Sequence, residues 1–244
     1  MPFDVAPQSA CKARCFICPS ASACLIHGVA HDELQRWSAG VDSQVSLATA
    51  GKALFEAGQH ATAIYTVRAG CLKSFTVDED GNERVRGFHL PGDFIGLDAL
   101  GSDAYPSTVV AVVPSQVCRM PIAQVHRLMA RNPALMLRLL DRTSRELAQA
   151  LTLAGDYTAE QRLAAFLLSM QERLGAPSAA VKLPMTRRDI ANYLRLATET
   201  VCRVLTRFEK QGRIRSDSKT VQVVNDRALR ALAQPVGTPL ACAA

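Results

Sequence analysis

Residues 185–225 read MTRRDIANYLRLATETVCRVLTRFEKQGRIRSDSKTVQVVN, and the punctuation of this stretch decides the fold. Thr186 and Asp189 stand three apart ahead of an apolar pattern, the spacing with which two side chains satisfy the first free N–H groups of a helix. The pattern predicts a helix over Arg187–Leu194, a tight turn, and a second helix over Glu199–Gln211 with Thr198 as its N-cap. Gly212 stops that helix. RIRSDSKTVQVVN then reads as a hairpin with Ser216–Ser218 at its tip. The order is helix, turn, helix and a two-stranded wing.

Advancing about 100° per residue along the second helix separates two faces. Val201, Val204, Leu205 and Phe208 share one; Glu199, Arg203, Thr206 and Arg207 share the other, with Cys202 at its edge. Arg203 can donate two hydrogen bonds to guanine O6 and N7, and Glu199 can accept from cytosine N4; each such pair discriminates by about 1–3 kcal/mol. The plain alternative is an amphipathic surface helix whose Glu199 and Arg203 form an i, i+4 ion pair. Charge argues against it. Between Met185 and Lys219, nine Arg and Lys face four Asp and Glu, so this segment holds a surplus of five out of the chain's net +6. A basic patch this local is a nucleic-acid footprint. Glu199 and Arg203 are therefore the expected base-reading residues, with Cys202 beside them, and Arg187, Arg188, Thr200 and Arg207 the expected DNA-backbone contacts. Arg195, Lys210 and Lys219 read as phosphate contacts or solvated charges.

Working upstream, Thr158 and Gln161 repeat the capping pattern ahead of a helix that ends near Gly175. Before it lies a longer one. Asn132 can cap it, Pro133 suits its first position, and Gly155 would end it in a left-handed conformation. At about 1.5 Å per residue it spans roughly 33 Å. Met136, Leu140, Leu147, Leu151 and Ala154 recur along it as an apolar seam, heptad-like enough to favour a partner helix in a homodimer. Further upstream, Gly58, Gly70, Gly81 and Gly92 are spaced by 12, 11 and 11 residues. The runs Ala63–Val67, Leu72–Val77 and Val85–Leu90 sit between them, and Asp80-Gly81 marks a tight hairpin turn. Turn signals at this pitch predict an antiparallel sandwich or roll.

The chain has 244 residues, enough for one large domain or two modest ones, and its 48% apolar content is ordinary for a globular protein. No signal-peptide core or membrane-spanning stretch is visible, so a cytoplasmic location without membrane association is expected. Thiols stay reduced there, and eight cysteines then argue for metal or redox chemistry rather than disulfides. Four crowd the first 24 residues, in CKARCFICPSASACLIHG, at Cys11, Cys15, Cys18 and Cys24. Zinc sites more often show two CxxC pairs or one pair followed by histidines. Only Cys15–Cys18 makes such a pair, so a further ligand can lie far along the chain; iron–sulfur clusters tolerate uneven spacing. The spacing alone leaves a cluster, a zinc ion and free thiols open. Cys71 and Cys242 read as a buried thiol and a tail residue. No nucleophile–base pair or phosphate-cradling glycine loop stands out, so no enzymatic activity is expected.

These residues together resemble the FNR branch (fumarate and nitrate reduction regulators) of the cyclic-AMP receptor protein family, over roughly Cys11 to Leu232. The N-terminal cysteine spacing, GFHLPGDFIGLDALGS, SQVCRMP, QRLAAF and MTRRDIANYLRLATETVCRVL carry the likeness. The resemblance implies one 4Fe–4S cluster per subunit on Cys15, Cys18, Cys24 and the distant Cys118, with Cys11 not a ligand. It implies that the intact cluster favours a DNA-binding dimer, that oxygen weakens the dimer, and that RNA polymerase is touched from loops of the roll around Asp80–Glu83. A TTGAT-like palindrome would be the site, although Cys202 replaces the serine that in such regulators helps read a thymine. Nucleotide-binding relatives carry a Glu and an Arg-Ser pair where this chain has Leu97 and Pro106-Ser107, so no cyclic nucleotide is expected. A cyclic phosphate buried without its arginine would lack a charge partner.

The expected fold is α+β, with an N-terminal antiparallel β-roll of the cyclic-nucleotide-binding jelly-roll kind, a long dimerisation helix carrying Met136, Leu140, Leu147 and Leu151, and a C-terminal winged helix-turn-helix. The expected division is 1–28 cysteine-rich cluster-binding loop, 29–131 roll, 132–155 dimerisation helix, 156–232 DNA-binding domain and 233–244 tail. A zinc-stabilised or thiol-redox DNA binder of the same fold is the alternative.

Overall fold

The roll is built from β1 (Gln44–Leu47), β2 (Ala53–Phe55), β3 (Ala63–Ala69), β4 (Leu72–Val77), β5 (Glu83–His89), β6 (Phe94–Ile95), β7 (Thr108–Ala111) and β8 (Ser115–Pro121). The computed structural model describes residues 44–155, 157–174, 180–217 and 220–233. Among them the strands form two antiparallel four-stranded sheets, ordered β1-β8-β3-β6 and β2-β7-β4-β5. Gly58, Gly70, Gly81 and Gly92 fall between successive strands with φ of 83°, 91°, 80° and 92°. Their regular pitch thus has a conformational cause, since residues with a Cβ rarely adopt that region. Gly70 is fixed twice over: a Cβ there would run into the Pro114 carbonyl and Ser115.

Leu47, Tyr65, Val67, Leu72, Val109 and Val117 fill the space between the sheets. The outer face of the β3–β8 sheet is covered as well. Ile64, Phe94 and Met120 pack there against Val125 and Leu128 of α1 (Ile122–Arg131) and Leu135 and Leu139 of α2 (Pro133–Ala154). Covering both faces explains why Ala63–Val67 is an unbroken buried run rather than an alternating one. Each of those leucines contributes roughly 1.5–3 kcal/mol by leaving water. Asn132 caps α2, its side chain accepting from the Leu135 N–H at 3.3 Å. Cys71 is fully buried, as expected of a thiol without assigned chemistry.

The chain divides into two compact units, one up to Arg145 and one from Glu146, so the boundary falls inside α2. In the second unit come α3 (Ala159–Arg173), β9 (Val181–Lys182), α4 (Arg187–Leu194), α5 (Thr198–Lys210), β10 (Ile214–Ser216), β11 (Thr220–Val223) and α6 (Asp226–Ala233). Its core joins Leu163, Phe166, Leu167 and Met170 of α3 to Ile190, Leu194, Val201, Leu205 and Phe208, with Leu229 of α6. Both capping boxes form, Thr158 with Gln161 and Thr186 with Asp189.

Three local expectations are corrected. Gly155 does not take a left-handed conformation; its N–H still donates to Leu151 at 3.0 Å. A Cβ there would lie 2.7 Å from the Tyr157 ring, which would have to shift to make room. The wing has three strands among the described residues, ordered β10-β11-β9, because Val181–Lys182 pairs with β11. Thr198 lies inside α5, and Ala197 takes the capping position without a side-chain hydrogen bond.

Candidate nucleic-acid interface

Helix α4 ends at an unusual residue. Arg195 takes φ 56° and ψ 47°, and it is the non-glycine positive-φ residue among those described. This left-handed turn lets the Leu196 N–H reach back to the Ala191 carbonyl at 2.9 Å and the Arg195 N–H to Asn192 at 3.2 Å. It closes α4 and starts α5 within three residues. The conformation costs about 1–2 kcal/mol in a residue with a Cβ.

Val201, Val204, Leu205 and Phe208 of α5 are buried, as its periodicity requires. On the other side Glu199, Cys202, Arg203, Thr206 and Arg207 are exposed, and Thr200 is half-buried. Glu199 and Arg203 do not pair with each other, and neither has a partner among the described residues. The ion pair on which the plain surface-helix reading depends is therefore missing, and two groups able to read base edges face solvent. The Thr206 hydroxyl donates to the Cys202 carbonyl at 3.1 Å, leaving the Cys202 thiol exposed.

The expected backbone contacts divide. Arg188 is exposed. Arg207 pairs with Glu160 in the first turn of α3. Arg187 donates from Nη2 to the Asp217 carbonyl at 3.2 Å. Sequence reasoning missed Glu160, which lies 47 positions from its partner. It also missed Glu209, whose Oε1 accepts from the Ser216 N–H at 2.9 Å and its hydroxyl at 2.7 Å. Lys219 lies outside the described residues. The long-helix positions Met136, Leu140, Leu147 and Leu151 are 50–63% exposed, whereas Leu135 and Leu139 are buried.

Of the four expected cluster ligands, Cys15, Cys18 and Cys24 lie outside the described residues. Cys118 is half-buried in the middle of β8, paired across the ladder with Thr66 of β3 and Gln44 of β1. It shares a strand face with Met120, the face that α1 and the start of α2 cover. The partner Gln44 is the first residue of β1, so β1 begins opposite this thiol. A thiol half-open on that face, across the ladder from the first residue of β1, fits a fourth cysteine ligand.

A β-roll followed by a helix-turn-helix with an exposed polar recognition face defines a DNA-binding regulator with an attached sensory-type domain. Residues 161–232 match the Crp-like helix-turn-helix domain and residues 47–132 the cyclic nucleotide-binding domain. The chain is 34% identical over 229 residues to the fumarate and nitrate reduction regulatory protein of Escherichia coli (strain K12), covering 91% of each. It is 35% identical over 189 residues to the transcriptional activator protein FnrA of Stutzerimonas stutzeri, covering 75% of this chain and 78% of that one. Among solved structures, FixK2 from Bradyrhizobium japonicum superposes with a TM-score of 0.70 at 28% identity, covering 80% of this chain and 98% of that one. The chain belongs to the CRP/FNR family of transcription regulators and is FNR-like. No helix among the described residues is long and apolar enough to cross a membrane.

Proposed function

We propose that this regulator controls genes of anaerobic or microaerobic growth, binding a palindromic TTGAT-like site as a homodimer while a 4Fe–4S cluster on Cys15, Cys18, Cys24 and Cys118 is intact. The observation that carries the sensing half is the position of Cys118, half-buried on the strand face covered by α1 and α2, across the ladder from the first residue of β1. When bound, the cluster supplies thiolate-held iron and sulfide that oxygen can dismantle. The relatives' names, fumarate and nitrate reduction regulatory protein among them, support the same reading.

The protein's own residues do the rest. Arg203 donates to a guanine edge and Glu199 accepts from a cytosine. Cys202 lies beside them on the reading face, and Arg187, Arg188, Thr200 and Arg207 hold the DNA backbone. Met136, Leu140, Leu147 and Leu151 form the dimer seam, since a stripe of exposed apolar side chains on one helix calls for a partner. The hairpin around Asp80–Glu83 touches RNA polymerase. The roll takes no cyclic nucleotide, because Leu97 and Pro106-Ser107 supply no charge for the phosphate and the buried Tyr105 stacks on Phe55 at 3.7 Å. The protein acts in the cytoplasm and catalyses no reaction.

The test is anaerobic purification of the wild type beside Cys118→Ala. The wild type is expected to be brown, to carry iron and labile sulfide, and to bleach and lose DNA affinity in air; the variant should be colourless. A colourless wild type holding one zinc per chain would replace this reading with the zinc-stabilised one.

A further inference from the structure

We infer that Glu209, at the end of the recognition helix, is a positioning residue for DNA binding that acts through the wing on Arg187. Three links run in series. The Glu209 carboxylate grips Ser216 twice through one oxygen, at 2.9 Å to its N–H and 2.7 Å to its hydroxyl. Ser216 leads directly into Asp217, which is tied twice to Thr220 of β11: its N–H donates to the Thr220 carbonyl at 3.0 Å and its Oδ1 accepts from the Thr220 N–H at 2.8 Å. The carbonyl of that doubly tied residue receives Nη2 of Arg187 at 3.2 Å.

Arg187 is the first residue of α4, where a helix-turn-helix meets the sugar–phosphate backbone. A free arginine there loses rotamer freedom on binding. One whose fork is already anchored by a fixed carbonyl keeps its remaining donors aimed, because a guanidinium carries five in a rigid plane. The recognition helix thus braces the wing, and the wing braces the arginine.

This rests on reading Arg187 as a phosphate contact. It makes an unusual prediction of sign. Glu209 is an acid close to a polyanion, so charge alone says that removing it tightens binding. The brace says the opposite for Glu209→Ala and not for Glu209→Gln, whose amide oxygen can still accept both bonds.

The experiment measures anisotropy of anaerobically prepared full-length protein on a duplex carrying the TTGAT inverted repeat and on a scrambled duplex of equal length. Glu209→Ala is expected to bind both about threefold more weakly, with Glu209→Gln as tight as wild type or tighter. Ser216→Ala, which changes no charge and keeps one of the two bonds, should lose about twofold. Arg187→Ala should weaken both duplexes and lower the salt slope by about 0.9, and in the Glu209→Ala background it should cost little more. Tighter binding by Glu209→Ala, or losses for the two variants that simply multiply, overturns the brace. If Arg187→Ala alone binds like wild type, the phosphate reading of Arg187 is what fails. Equal wild-type affinity for the two duplexes refutes the TTGAT site and leaves the Ala against Gln comparison standing.

Discussion

Nη1 of Arg162 donates to the carbonyl of Leu194 at 3.1 Å, and its Nη2 donates to Gly155 at 3.2 Å. Leu194 is the last residue of α4, so its carbonyl is one that the helix cannot satisfy. Gly155 immediately follows α2. One guanidinium on α3 therefore ties off two helix ends. Arg162→Ala is expected to lower the stability of the C-terminal unit by about 1–3 kcal/mol, the usual cost of stranding buried acceptors. Thermal unfolding followed by circular dichroism reads this, and an unchanged midpoint would show that the two carbonyls find water instead.

Arg207 is held by Glu160. If Arg207 holds the DNA backbone as proposed, DNA competes with that carboxylate. Glu160→Gln should leave the fold intact, since Glu160 caps nothing, and should tighten DNA binding several-fold while steepening the salt dependence by about 0.9 in the log–log slope. Loss of affinity in this variant would mean that the pair positions Arg207 rather than restrains it.

Leu147 is 60% exposed in the single chain. Placing a charge there costs the isolated chain little, but a paired helix seam cannot bury it unpaired. Leu147→Glu is expected to sediment as a monomer with unchanged secondary structure, and to lose roughly a hundredfold in affinity for a two-half-site duplex. A variant that stays dimeric removes Leu147 from the seam.

Burial pushes the Tyr105 phenol up to about 12. Its hydroxyl donates to the Ala63 carbonyl at 2.6 Å inside the roll. The folded value lies above the unfolded value of 10.0, so the stabilisation is fully present below pH 10 and is lost as pH rises toward 12. Alkaline difference absorbance should show one more late-titrating tyrosine in wild type than in Tyr105→Phe. The stability gap between the two should close across that pH window.

The elements that sequence made legible are those specified by close neighbours. Both capping boxes are contacts over three residues, and the buried face of α5 follows from a period of 3.6. The run Leu72–Val77 reads correctly because Gly70 and Gly81 bound it. What stayed hidden depends on partners far along the chain. That the short strand β9, just ahead of Thr186, joins the wing depends on its pairing with β11, which no local pattern announces. Glu160 and Glu209 look like ordinary surface acids until folding sets them beside Arg207 and Ser216. Thr198 was the stronger capping residue on paper, but the left-handed Arg195 shortens the connection and moves the cap to Ala197. Of the candidate site, the exposed face shared by Glu199 and Arg203 was legible from the helix period, whereas the place of Cys118 required the ladder.

Among the described residues, strand β1 is the outermost of its sheet, held laterally by β8, and its first rung is Gln44 against Cys118. Edge strands fray from their ends. Anything that grips the Cys118 sulfur therefore bears on the first rung of an edge strand and works like a clasp on an open seam. Releasing it would loosen that seam from the tip inward before the interior of the barrel felt any change.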